Sequence, residues 1–281
     1  MLRSPTRATN ETMDLQRHDA PAGSAPRAVP ILMYHEISPE ARQPFARFTV
    51  HPDAFAWQMA WLARRGFTTL DLDSLLDARA GRAPLPRRPV VVTFDDGFAD
   101  SGRYAPPILE RHGFTATFYL VAGSMGQTSE WLEREVGFRL PLMSWDDVLR
   151  LRERGHRFGS HTVTHPRLAR VASEACREEL VTSREVLERG LGEPVRHLAY
   201  PFGSHDDGVV AMAREAGYRS ACTTLEALSA GEGPLELRRV PVYGTEARLD
   251  FVTRLRTARP AGELARIPLR AIRRWRRGER P

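Results

Sequence analysis

Short apolar runs alternate with longer stretches of helical periodicity along most of this 281-residue chain. The stretches between the runs place apolar residues at i, i+3 and i+4, and several end in glycine, a common helix C-cap. Strict alternation of strand and helix predicts a parallel sheet whose strands are joined by helical crossovers. We therefore predict an α/β fold, a distorted (β/α) barrel, complete or incomplete, with a parallel strand core. The apolar runs are residues 29–34, 89–94, 115–121, 156–160, 196–200 and 218–224.

A barrel is favoured over an open nucleotide-binding sheet because neither GxGxxG nor GxxxxGK[ST] follows the first predicted strand. We divide the chain into a disordered leader (1–28), the barrel (29–250) and a basic carboxyl-terminal tail (251–281). The leader lacks the basic-then-apolar layout of a secretory signal peptide, and no apolar stretch approaches the length of a membrane span, about 18 residues. The sequence therefore predicts a cytoplasmic protein.

The net charge of +6 is concentrated in the tail. Residues 251–281 contain ten arginines and two acids, whereas the other 250 residues contain 31 arginines and 33 acids. Because the predicted catalytic body is slightly acidic, we expect no nucleic-acid partner. Leu269, Ile272 and Trp275 share one side of the segment 263–277, which is rich in arginine. This pattern predicts a short amphipathic helix that either docks on the barrel or contacts an anionic membrane surface peripherally.

Polar residues suited to catalysis follow the predicted strands, which is where the chemistry of a barrel is found. His35 follows the first run, Asp95 and Asp96 follow the second, and His161 follows residues 156–160, with His165 four residues later. Adjacent acids at a strand end point in different directions, so one can bind a cation while the other accepts a proton. The alternatives are a helix N-cap for the acids and a solvated helix face for the two histidines.

Two imidazoles, from His161 and His165, and one carboxylate of the Asp pair predict a catalytic metal centre. Three protein ligands leave open positions for water and substrate. Zinc is expected first, because hydrolysis needs a Lewis acid and no redox change. Cobalt, iron, manganese and nickel are alternatives for the same ligands.

Three motifs resemble, in this order, those of the polysaccharide deacetylase family of carbohydrate esterases: TFDDG at 93–97, SHTVTH at 160–165 and YPFG at 200–203. The opening ILMYHEI at 31–37 is similar to the first strand of many bacterial members, and the similarity spans residues 29–243. The resemblance implies a metal-dependent hydrolase that removes N-acetyl groups from an amino-sugar polysaccharide or a lipid-linked glycan. In that chemistry, metal-bound water attacks the amide carbonyl.

The resemblance also implies a role for each matching residue. Asp95 falls on the general base of the family, and Asp96, His161 and His165 fall on its metal ligands. Phe202 falls on the aromatic residue whose backbone N–H holds the developing oxyanion.

The chain departs from the best-studied members at three places. Ala199 stands where the third motif begins with an arginine that pairs with the base, and Arg239 is a candidate substitute. The fourth motif lacks its Asp–Trp pair, and residues 238–244 lack the histidine that serves as general acid. The end of the match is similar to the exopolysaccharide branch of the family. His35 and His205 are the candidate proton donors.

Two kinds of alternative stay open. The same site would suit an O-acetyl esterase or an N-deformylase acting on a sugar. The absent later motifs would also suit a carbohydrate-binding pseudoenzyme. The presence of all four polar residues of the first two motifs argues against a pseudoenzyme: Asp95, Asp96, His161 and His165.

Overall fold

The computed structural model of the protein describes residues 27–264. Its strands are β1 (Ile31–Tyr34), β2 (Glu36–Ile37), β3 (Thr49–Val50), β4 (Thr68–Thr69), β5 (Pro89–Phe94), β6 (Thr117–Leu120), β7 (Arg157–Ser160), β8 (His197–Ala199), β9 (Ser220–Glu226) and β10 (Leu237–Pro241). Its helices are α1 (Pro52–Arg64), α2 (Leu72–Arg79), α3 (Ala99–Glu110), α4 (Glu130–Val136), α5 (Trp145–Glu153), α6 (Ser173–Leu191), α7 (Asp207–Glu215), α8 (Arg248–Thr257) and α9 (Ala261–Leu264).

Seven parallel strands close into a ring in the order β1, β5, β6, β7, β8, β9 and β10. The ring closes because β1 pairs with β5 on one side and with β10 on the other. Strand β4 pairs with the first two residues of β5, Pro89 and Val90, and β2 and β3 form a separate two-stranded sheet. The predicted (β/α) barrel with a parallel core is therefore confirmed, with seven strands in the ring.

Each of the six apolar runs overlaps a ring strand, and β10 is the seventh. Helices lie between most successive ring strands, as the periodicity predicts. Local capping fixes several of their ends. Ser144 begins α5 with a capping box, in which its hydroxyl accepts from the Asp147 N–H and the Asp147 carboxylate accepts from the Ser144 N–H. Gly192 ends α6 with a left-handed φ of 70°.

Side chains of alternate strand positions fill the inside of the ring, and the others pack against the surrounding helices. The barrel is therefore a packed core rather than a pore. The residues inside include Ile31, Val91, Tyr119, Ala199, Cys222 and Leu237, all fully buried. The layer between strands and helices includes Leu32, Phe55, Val92, Phe94, Phe118 and Leu198, which are also buried.

The carboxyl-terminal part of the described chain packs on the barrel. Phe251 and Leu255 of α8 are buried in the main hydrophobic cluster, so the proposed boundary at residue 250 falls inside a helix. The division into leader, barrel and tail stays a prediction, since residues 1–26 and the amphipathic pattern around Trp275 lie outside the described residues. No helix within residues 27–264 is both long and apolar enough to cross a bilayer.

Candidate active site and metal centre

The carboxyl ends of the ring strands form one rim of the barrel, here called the carboxyl rim, and the polar residues of the three motifs gather there. Asp95 and Asp96 follow β5 directly, and His161 follows β7. Phe202 lies in a short 3-10 turn that follows β8. Neither acid caps a helix, because α3 begins only at Ala99, with Phe98 as its N-cap.

Asp96, His161 and His165 meet at this rim. Their potential ligand atoms all lie within 4.8 Å of one another, and all three residues are buried. The Nε2 atoms of His161 and His165 face the same Asp96 Oδ1 atom, at 3.4 and 3.2 Å. A buried set of two imidazoles and one carboxylate has the composition of a catalytic divalent-metal site.

The two imidazoles are oriented by different surroundings. His161 Nδ1–H donates to the carbonyl oxygen of Ala199 at 2.7 Å, which leaves the Nε2 lone pair free to face Asp96. The His165 ring stacks on Trp131, with centroids 4.7 Å apart, and meets the Phe202 ring edge-on at 4.6 Å. His165 Nδ1 is buried without a hydrogen-bond partner in the described part of the chain.

The second motif forms a loop rather than a helix. Thr162 and His165 adopt left-handed backbone conformations, with φ of 68° and 62°. The Glu179 carboxylate of α6 accepts hydrogen bonds from the backbone N–H groups of Val163 and Thr164, at 2.7 and 3.0 Å. Helix α6 therefore anchors the loop that presents the second imidazole.

The charges of the cluster shift its pKa values. Burial raises the pKa of Asp96, but hydrogen bonds and charge from His161 and His165 outweigh burial and hold this pKa far below its usual range. Burial lowers the pKa of His165 to about 4, so its imidazole is neutral at neutral pH. Burial lowers the pKa of His161 too, but Asp96 and Asp95 more than offset it, and this pKa is raised. Asp96 is thus ionised, as a metal ligand must be.

Asp95 turns away from the imidazoles and pairs with Arg239 of β10. Arg239 Nη1 donates to Asp95 Oδ1 and Nη2 to Oδ2, both at 2.6 Å, and neither side chain is more than 3% exposed. The guanidinium also donates to the Thr223 carbonyl at 2.9 Å and to Thr93 Oγ1 at 3.2 Å. Burial raises the pKa of Asp95, but Arg239 outweighs it and holds the carboxyl below its usual pKa.

The Asp95–Arg239 pair explains how the chain can have an alanine at position 199, where the third motif of the family has an arginine. The arginine absent from the third motif is replaced in space by Arg239, which reaches Asp95 from another ring strand. Ala199 instead supplies the carbonyl oxygen that orients His161.

Backbone strain is concentrated in the motifs. A non-glycine residue with positive φ is uncommon and costs about 1 kcal/mol or more, so it persists only where its surroundings fix it. Five such residues occur in the described chain, and four belong to the three motifs: Asp96 (71°), Thr162 (68°), His165 (62°) and Phe202 (56°). The fifth is Ala258, at the end of α8.

The two candidate proton donors differ in their surroundings. The ring of His35, after β1, lies 4.8 Å from that of Phe48. Burial lowers the pKa of His35, and the charges of Asp96 and Asp95 oppose that shift, which places the imidazole within their electrostatic reach.

His205 is engaged within its own loop. Its Nδ1–H donates to the Gly203 carbonyl at 2.8 Å, and its ring stacks on Tyr200 with centroids 4.9 Å apart. Within the described chain, His205 makes no contact with the acids and histidines of the first two motifs. His35 is therefore the better placed candidate.

Two residues that support the site were not identified by the sequence analysis. Trp131 of α4 supports one imidazole, and Glu179 of α6 holds the loop between them. Both belong to helices that show only the ordinary amphipathic pattern, so nothing local distinguishes them. Only their position in the folded chain reveals the contacts.

A sequence profile for the family described as polysaccharide deacetylase matches residues 82–221, a span that includes the three motifs. The Bacillus subtilis protein YxkH, named as a polysaccharide deacetylase, is 27% identical over 221 residues, covering 77% of this chain and 72% of its own. A crystal structure of a Bacillus anthracis protein assigned to the polysaccharide deacetylases matches with a TM-score of 0.70 and 30% identity, covering 82% of this chain and 70% of that one.

The chain is also similar to the poly-β-1,6-N-acetyl-D-glucosamine N-deacetylase of Escherichia coli K12. The two are 32% identical over 88 residues, which is 31% of this chain and only 13% of that relative.

Proposed function

The chain belongs to the polysaccharide deacetylase family, to its exopolysaccharide branch, and from this premise we propose that it is a metal-dependent hydrolase that removes N-acetyl groups from an N-acetylglucosamine polymer. The proposal rests on one observation: Asp96, His161 and His165 form a buried cluster of potential metal ligands beside the Asp95–Arg239 pair. The substrate class is supported by the similarity to the poly-β-1,6-N-acetyl-D-glucosamine N-deacetylase.

The three candidate ligands fit a divalent cation. Imidazole and carboxylate suit zinc and its neighbours, and the orientation of His161 by a backbone carbonyl is a common support for a metal-ligating imidazole. When bound, such a cation, zinc first among those named above, polarises the acetamide carbonyl and lowers the pKa of the attacking water.

Asp95 is the proposed general base. It accepts a proton from the water molecule as the water oxygen attacks the carbonyl carbon. Arg239 fixes both carboxylate oxygens and keeps them ionised at neutral pH. A carboxylate with a lowered pKa is a weak base, so Asp95 can deprotonate the water only if a bound cation would make that water more acidic. This requirement fits the position of Asp95 next to Asp96 of the ligand cluster.

The oxyanion that develops on the carbonyl oxygen is assigned to the backbone N–H of Phe202, as the family resemblance implies. This N–H makes no backbone hydrogen bond within the described chain, so it is free to donate. Burial lowers the pKa of His35 and disfavours a charged imidazole at rest, so in this proposal His35 relays to the departing nitrogen the proton that Asp95 takes from water. As the C–N bond breaks, the products are acetate and a free amino sugar. We assign this proton to His35 because His205 is engaged with Gly203 and Tyr200.

The proposal is tested by acetate release from β-1,6- and β-1,4-linked N-acetylglucosamine oligomers, with metal content measured on the same protein. We expect acetate release, about one divalent ion per chain and a loss of activity of at least about a thousandfold in Asp95→Asn. Asp146→Asn, a change to an exposed acid on α5, is the matched control and should keep full activity.

The outcomes separate the alternatives. Release of acetate only from O-acetylated sugars would make the protein an esterase, and release of formate would make it a deformylase. Binding of the oligomers without release of any acid by the metal-loaded protein would support a carbohydrate-binding pseudoenzyme and refute the proposed reaction.

A further inference from the structure

Arg167 lies two residues after the second motif, and it takes no part in the reaction proposed above. Its guanidinium carbon lies 3.7 Å from the centroid of the Phe202 ring, which is a close cation–π contact. The same ring meets the imidazole of His165 edge-on at 4.6 Å. Phe202 is 36% exposed, yet its ring is contacted by one residue from the second motif and by one that closely follows it.

Glu135 of α4 holds Arg167 in this place. The Nη2 atom of Arg167 donates to both carboxylate oxygens of Glu135, at 3.2 Å each. Trp131 lies one turn earlier on the same helix and stacks on His165. Since residues four apart lie on one face of a helix, the same face of α4 supports His165 directly and Phe202 through Arg167.

Phe202 needs such support because its backbone is strained. Its φ of 56° is left-handed, a conformation in which a non-glycine residue persists only where its surroundings fix it. Gly203, the next residue, is fixed by its own N–H, which donates to the Tyr200 carbonyl at 2.8 Å. The Phe202 N–H makes no backbone hydrogen bond within residues 27–264, so the contacts of the ring help to set the direction in which this N–H points.

We propose that Arg167 is a positioning residue for the deacetylation, which holds the Phe202 ring and so keeps the Phe202 N–H directed at the carbonyl oxygen on which charge develops. The inference rests on the proposed function, which assigns the oxyanion to this N–H. Arg167 itself touches no reacting atom. Its effect on the reaction passes through the Phe202 ring.

The Arg167–Glu135 pair should contribute little to the stability of the fold. The two side chains are 36% and 45% exposed, and solvent screening and the entropy of ordering two long side chains weaken an exposed ion pair. We therefore expect Arg167→Ala to change the midpoint of urea unfolding only slightly. A loss of activity without a comparable loss of stability would distinguish positioning from general structural support.

The kinetic test is acetate release from an N-acetylglucosamine oligomer. We expect Arg167→Ala to lower kcat at least about tenfold with KM unchanged, because the oxyanion exists only in the transition state and small displacements of its donor are costly. Metal content should stay the same, since His165 keeps its contact with Trp131. The matched control is Arg177→Ala, which removes an exposed arginine of α6 that pairs with Glu215 at 3.0 Å, and it should leave kcat unchanged.

A double-mutant comparison tests whether the effect passes through the ring. Phe202→Ala removes the ring but keeps the backbone N–H, so adding Arg167→Ala to this variant should change kcat by less than about twofold. A full tenfold loss in that background, or a loss that appears in KM, would mean that the guanidinium contacts the substrate directly. Either result would overturn the proposal.

Nuclear magnetic resonance judges the contact without turnover. In protein with ¹⁵N-labelled phenylalanine, the amide peak of Phe202 is assigned by its absence from Phe202→Leu. We expect this peak to shift or broaden in Arg167→Ala and to stay in place in Arg177→Ala. An unchanged peak in Arg167→Ala would overturn the proposal. Absence of acetate release by the metal-loaded parent would refute the proposed function, and the peak would still decide whether Arg167 holds Phe202.

Discussion

Histidine side chains lie against an aspartate at both ends of the barrel. The two contacts differ in burial, in hydrogen bonding and in backbone strain. At the carboxyl rim, His161 and His165 face Asp96, whose side chain is 7% exposed. At the opposite end, which we call the amino rim, His197 at the start of β8 faces Asp73 of α2 at 3.5 Å, and that carboxylate is 32% exposed. The same pair of residue types therefore occurs in a buried cluster and in a partly solvated one.

The amino-rim cluster is satisfied and unstrained. His197 uses both ring nitrogens, one towards Asp73 and one at 2.9 Å from Ser220 Oγ, and Arg219 joins Asp73 to Asp77. None of these residues has a positive φ.

The carboxyl rim has the opposite character, with left-handed backbone at Asp96 and His165 and an imidazole nitrogen that lacks a partner in the described chain. Strain and unmet hydrogen bonds, more than residue type, distinguish a site for chemistry from a structural contact. The predictions below test this contrast.

The largest expected difference is in catalysis. Asp96→Asn removes the anionic ligand, so we expect kcat/KM to fall by about a thousandfold, or about 4 kcal/mol, together with loss of bound metal. Asp73→Asn makes the same chemical change at the amino rim and should leave kcat/KM within about twofold, because it touches no group of the reaction. Steady-state kinetics and metal analysis of the two variants check this. An equal loss of activity in a folded Asp73→Asn would remove the distinction.

The second prediction compares two arginines. Arg239→Ala leaves the Asp95 carboxylate buried without its partner, which should lower the free energy of unfolding by about 3–5 kcal/mol. Arg219→Ala acts on a contact that is about one-third exposed, and it should cost about 1 kcal/mol or less. Urea denaturation of both variants measures the difference. Similar losses would mean that the Asp95–Arg239 pair is not the tighter of the two.

The third prediction separates the histidines at the carboxyl rim. His35→Gln should lower kcat about a hundredfold if this imidazole delivers the proton to the departing amine. His205→Gln should change kcat by less than about threefold, because its ring serves its own loop. Activity on an N-acetylglucosamine oligomer checks both. The reverse order of effects would move the proton donor to the third motif.

Much of the fold and of the carboxyl-rim cluster was accessible from the sequence, whereas the amino-rim cluster was not. Strand–helix alternation predicted the parallel barrel, and the position of polar residues after strands predicted which of them share a rim. The motif order predicted the grouping of Asp96, His161 and His165, which the structure shows. These inferences succeed because strand direction and the hydrophobic period are local properties of the chain.

Contacts between distant segments could not be predicted in this way. Arg239 was named from the sequence as a candidate substitute, but its pairing with Asp95 depends on the closure of β10 against β1. Glu179 and Trp131 reach the loop of the second motif from helices with no distinguishing pattern. The number of ring strands was likewise open, because it depends on which two strands close the barrel.

The smallest expected effect concerns acid stability at the amino rim. The hydrogen bond from His197 is the largest influence on Asp73, and with Arg219 it outweighs burial and holds the pKa of the carboxyl well below its usual value. A carboxyl with a depressed folded-state pKa stabilises the fold above its unfolded pKa of about 3.9, and this contribution is lost as the pH falls towards the lower folded value.

Because the Asp73 carboxylate is 32% exposed, solvent screening limits its contribution to about 1 kcal/mol. We expect Asp73→Asn to be less stable than the parent by that amount at pH 7, and the gap to shrink steadily below about pH 4. Urea denaturation at pH 7, 5 and 3 measures it, with Asp146→Asn as an exposed control that should show no such trend. A gap that stays constant down to pH 3 would mean that packing rather than charge holds Asp73 to His197, and the amino rim would then owe nothing to electrostatics.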